Sequence, residues 1–406
     1  MRRSQAFIKT QKEVPSDADS INASLLTRAG FVQKHMSGVY ALLPLGLRVY
    51  KKIENIVREE LNATGANELL MNVLQPRELW EETNRWKEIE EVMYKVGADI
   101  GLAPTHEEQV TDIVRGKISS YKDLPLSLYQ FQVKFRNEPR AKSGLLRGRE
   151  FLMKDMYSFH ATEEDFEKYY QRIIVAYKKI FSRMGLETKL VAASGGMFSK
   201  YSHEFQVICP TGEDTVYVCE KCDFAENIEI AKVKNDDKCS KCNGRIREEK
   251  SIEAANIFPL KDKFSKAMGA KILDAEGKEQ SMIMGCYGIG MTRVMATIVE
   301  IYNDTRGILW PASVAPFRVN LISLGKNKEC DKIYGDLTRK GIEVLYDDRE
   351  EITAGEKFAD ADLIGCPVRI IVSEKSLTAG GAEISKRQDP KKFEIIPIDK
   401  ILDKVR

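Results

Sequence analysis

Apolar residues recur at steps of three and four positions in two stretches, which is the spacing of an amphipathic helix. The first stretch covers residues 46–64 and ends at Gly65, a residue that commonly stops a helix. The second begins after Thr162, whose place before three acidic residues is typical of a helix cap, and it ends at Gly185. We predict that both are scaffold helices.

Residues 129–138 and 147–159 instead alternate apolar and polar positions, which predicts two strands. The loop between them contains Pro139 and Gly144, so the strands should form an antiparallel hairpin. One face of the first strand is expected to pack and its polar face to be presented outward. That face is either a binding surface or a solvated surface with ion pairs.

The last ninety residues alternate apolar strands with helical stretches and predict a compact α/β domain. It follows Trp310-Pro311 and Ala315-Pro316. Its predicted strands cover residues 317–324, 342–346 and 368–372, and its predicted helices cover residues 328–340 and 354–364.

Composition excludes whole classes of protein. The 406 residues are 43% hydrophobic and 31% charged, unlike disordered or collagenous chains. Lys and Arg total 63 against 61 Asp and Glu, so bulk charge indicates neither nucleic acid nor membrane, although a local basic surface remains open. The amino-terminal residues lack an apolar signal core and no stretch approaches 18 apolar residues, so we expect a cytoplasmic protein without membrane association.

Half of the eight cysteines lie within twenty-four residues, in a charged segment at 213–250 that we interpret as a small insertion. Their spacing is that of a zinc ribbon: Cys219, Cys222, Cys239 and Cys242. Four sulfur ligands leave no open coordination position, so the predicted Zn²⁺ is structural. The alternative is a set of unpaired thiols.

Other familiar motifs are absent or incomplete. His106-Glu107 and His203-Glu204 begin like a zincin helix but lack the second histidine, and no Gly-Lys-Ser/Thr phosphate loop occurs. What remains is a set of residues suited to ATP. Arg136, Arg147 and Arg293 could hold phosphates, Phe151 could stack on a purine, and Glu138 could accept from its amine.

These motifs resemble those of the class II aminoacyl-tRNA synthetases, and within them the bacterial-type prolyl-tRNA synthetases. Residues 135–138 with 147–151 resemble motif 2, residues 288–293 resemble motif 3, and Pro76 fits motif 1. Residues 104–108, 284–288 and 347–349 point to the prolyl member.

The resemblance implies an α+β catalytic domain with an antiparallel sheet and flanking helices, formed by residues 1–212 and 251–312. Residues 213–250 would be a zinc-ribbon-like insertion in place of the editing domain, and residues 315–406 an α/β anticodon-binding domain with a mixed sheet. Motif 1 implies a homodimer.

The resemblance also implies ATP with Mg²⁺ and L-proline as substrates, prolyl-adenylate as intermediate and tRNA(Pro) as acceptor. The implied ATP-binding residues are Arg136, Glu138, Arg147, Phe151, Glu253, Asn256 and Arg293, with Arg136 and Arg293 catalytic. The implied proline-binding residues are Thr105, Glu107, Arg136, Met153, Tyr157, Phe258 and Cys286. The anticodon-side residues would be Asp347, Asp348, Arg349, Phe358, Lys386 and Arg387.

Several departures from the family pattern qualify these expectations. The motif 2 loop reads Ala-Lys-Ser-Gly at 141–144 where Pro-Arg-Phe-Gly is usual, which affects the expected acceptor-stem contacts. The segment at 213–250 is too short for the editing fold, so we predict no editing of alanyl-tRNA(Pro) in cis, and a separate deacylase would then be needed. Two rival functions stay open: a threonyl-tRNA synthetase and a non-catalytic tRNA-binding paralogue.

Overall fold

The computed structural model describes residues 1–405, and Arg406, the last residue of the predicted C-terminal domain, lies outside them. The chain forms two compact units. The larger unit contains residues 36–39 and 54–297, and the smaller unit contains residues 1–35, 40–53 and those from 298 onward.

The helices of the described residues are α1 Ile21–Arg28, α2 Pro44–Asn62, α3 Arg77–Glu82, α4 Arg85–Glu88, α5 Glu107–Arg115, α6 Glu163–Arg183, α7 Lys263–Ala267, α8 Met291–Ile301, α9 Asn327–Arg339, α10 Ala354–Ile364, α11 Glu374–Thr378 and α12 Ile401–Val405. The strands are β1 Val32–Met36, β2 Val39–Leu42, β3 Asn67–Glu68, β4 Leu74–Pro76, β5 Lys95–Val96, β6 Ile100–Leu102, β7 Leu126–Phe135, β8 Glu150–His160, β9 Lys189–Ala193, β10 Ser202–Ile208, β11 Asp214–Cys219, β12 Ala225–Asn227, β13 Ile246–Lys261, β14 Lys271–Leu273, β15 Glu279–Ser281, β16 Ile283–Gly290, β17 Asn303–Asp304, β18 Gly307–Ile308, β19 Val319–Ser323, β20 Val344–Asp347, β21 Val368–Val372, β22 Ala382–Lys386 and β23 Asp389–Ile396.

The larger unit is built on a nine-stranded sheet in the order β10-β9-β12-β11-β13-β16-β8-β7-β3. The predicted hairpin is confirmed, because β7 and β8 pair antiparallel along their length. Residues that lie opposite each other on adjacent strands have their side chains on the same face of the sheet. The register therefore aligns side chains in rows that cross the strands. One row is Gln130, Asp155, Gly288 and Asn256, and the next is Leu128, Tyr157, Cys286 and Phe258.

Strand β13 runs from the cysteine-rich segment into this sheet without interruption. It pairs with β11, β16 and β10, and β10 continues through β9 and β12 back to β11, so these strands close a ring. Strands of residues 213–250 therefore extend the nine-stranded sheet. Val191, Val216 and Val218 pack within this part of the sheet.

Helix α6 covers the opposite face of β8 and β16, as its apolar stripe predicts. Thr162 caps it by accepting a hydrogen bond from the Asp165 amide. The predicted capping box is only half formed, because the Asp165 carboxylate contacts His160 Nδ1 at 2.5 Å. Beneath the helix, the buried Lys154 ammonium donates to Tyr177 Oη and to the Tyr287 carbonyl. Burial lowers the pKa of Lys154 to about 7.

The expectation that the polar face of 129–138 is presented outward was wrong for Gln130 and Lys134, which are fully buried. On the apolar face Tyr129 is fully buried, whereas Phe131, Val133 and Phe135 are half-buried. The two polar side chains are covered because they meet Asp155 of β8 and, for Lys134, also His106 before α5. Their burial favours a built site over a solvated surface.

The smaller unit contains a five-stranded sheet in the order β20-β19-β21-β22-β23. The three predicted strands are β19, β20 and β21, which pair in parallel, and the two predicted helices are α9 and α10. The antiparallel β22–β23 hairpin was not predicted, because half of the β23 residues are charged and most of them are exposed. Across residues 1–405, no helix is both long and apolar enough to cross a membrane.

Candidate functional site

A cavity of about 300 Å³ opens on the polar face of the nine-stranded sheet. It lies where β7 ends, β8 begins and β16 turns into α8. Six of the residues predicted to bind ATP line it: Arg136, Glu138, Arg147, Phe151, Glu253 and Arg293. The β7–β8 hairpin, β13 and the start of α8 after β16 thus bring the predicted nucleotide residues together.

Arg136 lines the cavity and contacts the segment that precedes α5. Its Nε and Nη2 donate to the Pro104 carbonyl, each at 3.3 Å, and its guanidinium lies 5.2 Å from the Phe151 ring centre. Burial, followed by the nearby charge of Arg293, lowers the pKa of Arg136. A guanidinium with no carboxylate partner in this position is suited to bind an anion.

Arg147 is held between two carboxylates at the mouth of the cavity. Its Nε is 2.9 Å from Glu138 Oε2, and its Nη1 donates to Glu213 Oε2 at 2.9 Å. Although burial opposes it, the hydrogen bond from Arg147 lowers the pKa of Glu138. Glu213 was not predicted, because it belongs to the segment that we interpreted as an insertion.

Arg293 is oriented by three acceptors. Its Nε donates to the Leu146 carbonyl, and its Nη1 donates to both the carbonyl and the Oε2 of Glu253, each at 2.9 Å. Asn256 Nδ2 donates to Glu253 Oε1 at 3.0 Å. Glu253 and Asn256 share a face because β13 has an extra residue between them, where its register with β10 shifts.

The predicted proline-binding residues form a buried cluster beyond Met153. Glu107 lies at its centre: Thr105 Oγ1 donates to Glu107 Oε2 at 2.6 Å, and Cys286 Sγ donates to Glu107 Oε1 at 3.3 Å. Tyr157 donates to Asp155 Oδ2 at 3.1 Å. Phe258 lies opposite Cys286 in the sheet, and its ring packs 5.0 Å from that of Phe198.

A buried polar trio beneath this cluster was not predicted. The Lys134 ammonium is 2.7 Å from Asp155 Oδ1 and 2.5 Å from His106 Nδ1. Burial and the charge of Lys134 lower the pKa of His106 to about 4, so the imidazole is neutral at neutral pH. In the sequence, Gln130 and Lys134 alternate with aromatic residues, which is consistent with buried polar side chains. The same alternation fits a strand with a solvated polar face, so it did not predict the trio.

A second unpredicted network links the cysteine-rich segment to the cavity. Glu204 Oε2 accepts from Gln206 Nε2 at 2.9 Å and from Asn227 Nδ2 at 3.1 Å. Gln206 also donates to Asp214, which lines the cavity. Burial, followed by the negative charge of Glu253, raises the pKa of Glu204 to about 7.

The four clustered cysteines are brought together as their spacing predicts. Their sulfur atoms lie within 4.8 Å of one another, with Cys219 and Cys242 at 3.5 Å and Cys222 and Cys239 at 3.6 Å. Amides of Lys221 and Lys241 donate to two of the sulfurs. Gly244 is required here, because a Cβ would lie 2.8 Å from Cys219 Sγ.

The predicted anticodon-side residues are not equally accessible. Arg349 bonds to Asp347 and Asp360, and Asp348 accepts from Ser4. Arg387 is 2% exposed and donates to both oxygens of Asp304. These contacts stabilise the smaller unit and leave the Arg387 guanidinium little access to RNA. Lys386 is exposed and Phe358 is half-buried.

The chain is similar to known proteins along its whole length. Residues 92–302 match the family described as the tRNA synthetase class II core domain (G, H, P, S and T), and residues 317–406 match the anticodon binding domain. These matches confirm the predicted class II core and C-terminal domain.

Two curated relatives are proline–tRNA ligases. The protein from Geobacillus sp. (strain WCH70) is 36% identical over 565 positions, which cover 100% of this chain and 99% of that protein. The protein from Oleidesulfovibrio alaskensis is 35% identical over 557 positions, which cover 98% and 97% of the two chains.

Two solved structures share the fold. Giardia lamblia prolyl-tRNA synthetase in complex with prolyl-adenylate has a TM-score of 0.78 at 21% identity and covers 94% of this chain and 75% of that chain. The Cryptosporidium parvum enzyme with L-proline and AMP has a TM-score of 0.76 at 19% identity and covers 95% and 73%.

Lys134→Met should lower the free energy of unfolding by about 3–5 kcal/mol, because it leaves the buried Asp155 carboxylate without its cation. Urea denaturation followed by tryptophan fluorescence measures the effect. Lys168→Met is the control, since Lys168 pairs with Glu164 on the surface and its loss should leave unfolding unchanged. Equal denaturation midpoints for the two variants would contradict the assignment.

Proposed function

The chain belongs to the proline–tRNA ligase family, and from this premise we propose that it joins L-proline to tRNA(Pro) in two steps. ATP and proline first form prolyl-adenylate and pyrophosphate, and the prolyl group then passes to the terminal ribose of the tRNA as AMP leaves. The observation that carries this proposal is Arg136, which lines the cavity with the side chains that we assign to ATP and donates to the carbonyl of Pro104, three residues before Glu107.

The site positions two reactants and stabilises charge, and it needs no general base. The proline carboxylate is already a nucleophile, so it attacks the α-phosphorus, the bond from phosphorus to the bridging oxygen breaks, and pyrophosphate leaves. Arg136 can bind both the carboxylate and the α-phosphate, where negative charge accumulates. Arg147 and Arg293 bind the outer phosphates, and Glu107 with Thr105 receives the secondary ammonium of proline.

The adenine end uses Phe151 and Glu138. Phe151 offers a ring face for stacking, and Glu138 offers a carboxylate that accepts from the exocyclic amine. Magnesium enters with ATP as part of the substrate. Asp214 and Glu253 place carboxylate oxygens in the cavity wall, the ligand type that Mg²⁺ prefers.

The four cysteines hold a structural Zn²⁺ in this proposal. Sulfur atoms at the corners of a tetrahedron with bonds of about 2.3 Å lie about 3.8 Å apart, close to the separations here. All four positions are taken by sulfur. The site is therefore closed to an amino acid, unlike the open zinc site by which threonyl-tRNA synthetases read threonine.

Three further features complete the proposal. Residues 1–212 with 251–312 form the catalytic domain, 213–250 replace the editing domain, and 315–406 contact the anticodon, with Lys386 and Phe358 the more accessible candidates. The enzyme acts as a homodimer through the region of Pro76, which follows the exposed apolar side chains of Leu70 and Leu74. It works in the cytoplasm.

ATP–pyrophosphate exchange tests the activity directly. We expect exchange with proline and none with threonine, and Arg136→Ala should slow it by about 10²–10³-fold because charge at the α-phosphate loses its partner. Arg172→Ala is the matched control, since Arg172 is exposed on α6. Exchange with threonine would favour the threonyl rival, and no exchange with any amino acid would favour the non-catalytic paralogue.

Purified chain should leave alanyl-tRNA(Pro) intact. Alanine will be misactivated at a measurable rate, because missing methylenes cost only about 1–3 kcal/mol of discrimination. The alignments with full-length relatives span 565 and 557 positions, whereas this chain has 406 residues, which supports the loss of a large insertion. Hydrolysis that rises with enzyme concentration would show that editing occurs in cis, and a separate deacylase would then be unnecessary.

Metal analysis of the purified chain should find one zinc per chain, and Cys239→Ser should lose it. Loss of the metal should also lower the thermal midpoint, because β11 and β13 are joined beside the cluster. Cys209→Ser is the control, since this buried thiol lies outside the cluster. A native protein without zinc, whose four thiols all react freely, would contradict a metal site.

A further inference from the structure

Two adjacent buried carboxylates share one guanidinium at the amino-acid end of the site. Arg85 Nη1 is 2.7 Å from Glu108 Oε1 and 3.6 Å from Glu107 Oε2. All three side chains are at most 2% exposed. Thr83 Oγ1 also donates to Glu108 Oε1 at 2.8 Å.

Arg85 is enclosed by aromatic rings. Its guanidinium lies 5.0 Å from the Trp80 ring centre and 5.1 Å from those of Phe198 and Phe264. Within residues 1–405, its Nε and Nη2 have no hydrogen-bond partner. The cation is therefore stabilised by ring faces and by the two carboxylates. Burial acts against the charged form, but Glu108 and Glu107 raise the pKa of Arg85 on balance.

The charges of this cluster do not cancel. One guanidinium faces two carboxylates, and the neighbouring Lys134 and Asp155 pair with each other. His106 adds no charge when neutral. Burial raises the pKa of Glu108, and the charge of Arg85 opposes that shift. The closer contact of Arg85 with Glu108 leaves Glu107 the more weakly paired of the two carboxylates.

We propose that Arg85 and Glu108 are positioning residues that keep the Glu107 carboxylate available for the substrate's ammonium. Glu108 takes up the Arg85 guanidinium, so Glu107 is free to pair with a cation from the substrate. This inference rests on the proposed function, in which Glu107 receives the secondary ammonium of proline. Neither Arg85 nor Glu108 needs to touch the substrate.

The consequence is testable because the charge role and a merely structural role predict opposite results. In Glu108→Gln, Arg85 has only Glu107 left as a carboxylate partner, and the cluster becomes neutral. The KM for proline should then rise about tenfold to a hundredfold, the range of a hydrogen bond to a charged group. The KM for ATP should stay unchanged, because the cavity arginines are not altered.

The double variant R85M/E108Q restores the single negative charge on Glu107. If Arg85 and Glu108 act through charge, the KM for proline should return toward the wild-type value. If they act only by packing, the second substitution should worsen the first. Glu88→Gln is the matched control, because it removes an exposed carboxylate from the same helix as Arg85 and should change neither KM.

ATP–pyrophosphate exchange at varied proline and varied ATP gives both constants. A raised KM for proline in Glu108→Gln, with recovery in the double variant, would support the proposal. An unchanged KM in Glu108→Gln, or a double variant worse than the single, would overturn it. Failure of the proposed function would look different, because wild-type protein would then show no proline-dependent exchange.

Discussion

Pairing of β7, β8, β16 and β13 in one antiparallel register is the constraint on which the site depends. Side chains alternate between faces, so a fixed register decides which residues meet. It places Asp155, Gly288 and Asn256 in one row, and Tyr157, Cys286 and Phe258 in the next. The residues that we assign to ATP and to proline therefore lie on neighbouring parts of one surface, although they come from distant segments.

Burial of charge is the second constraint, and the structure meets it by pairing. An isolated buried ion is costly, so Lys134 is paired with Asp155 and Arg85 with Glu108. Arg136 and Glu107 are less closely paired. Among the described residues, Arg136 donates to the Pro104 carbonyl, and Glu107 accepts from a hydroxyl and a thiol, with Arg85 3.6 Å away. A guanidinium and a carboxylate suit the amino-acid substrate that we assign to the site, because that substrate carries a carboxylate and an ammonium.

Periodicity and motif spacing predicted the main helices, the hairpin and the cysteine cluster, because these depend on local patterns. Other features depend on tertiary contacts. Lys134 is indistinguishable from a surface lysine until Asp155 and His106 surround it, and Arg387 looks like part of a basic patch until Asp304 binds it. Glu253 faces the cavity only because β13 has an extra residue, which strict alternation cannot reveal.

Strand β13 leaves little freedom for change in chain length. At about 3.3 Å per residue, its 16 residues, one of them the extra residue where the register with β10 shifts, run from the cysteine cluster to Asn256 and Phe258. A residue gained or lost within 246–258 would turn every side chain beyond it to the other face of the sheet. Insertions and deletions should therefore be tolerated better in the loop between Cys222 and Cys239 than in β13. Such changes would alter the shape of that loop without changing the distance between the cysteine cluster and Phe258.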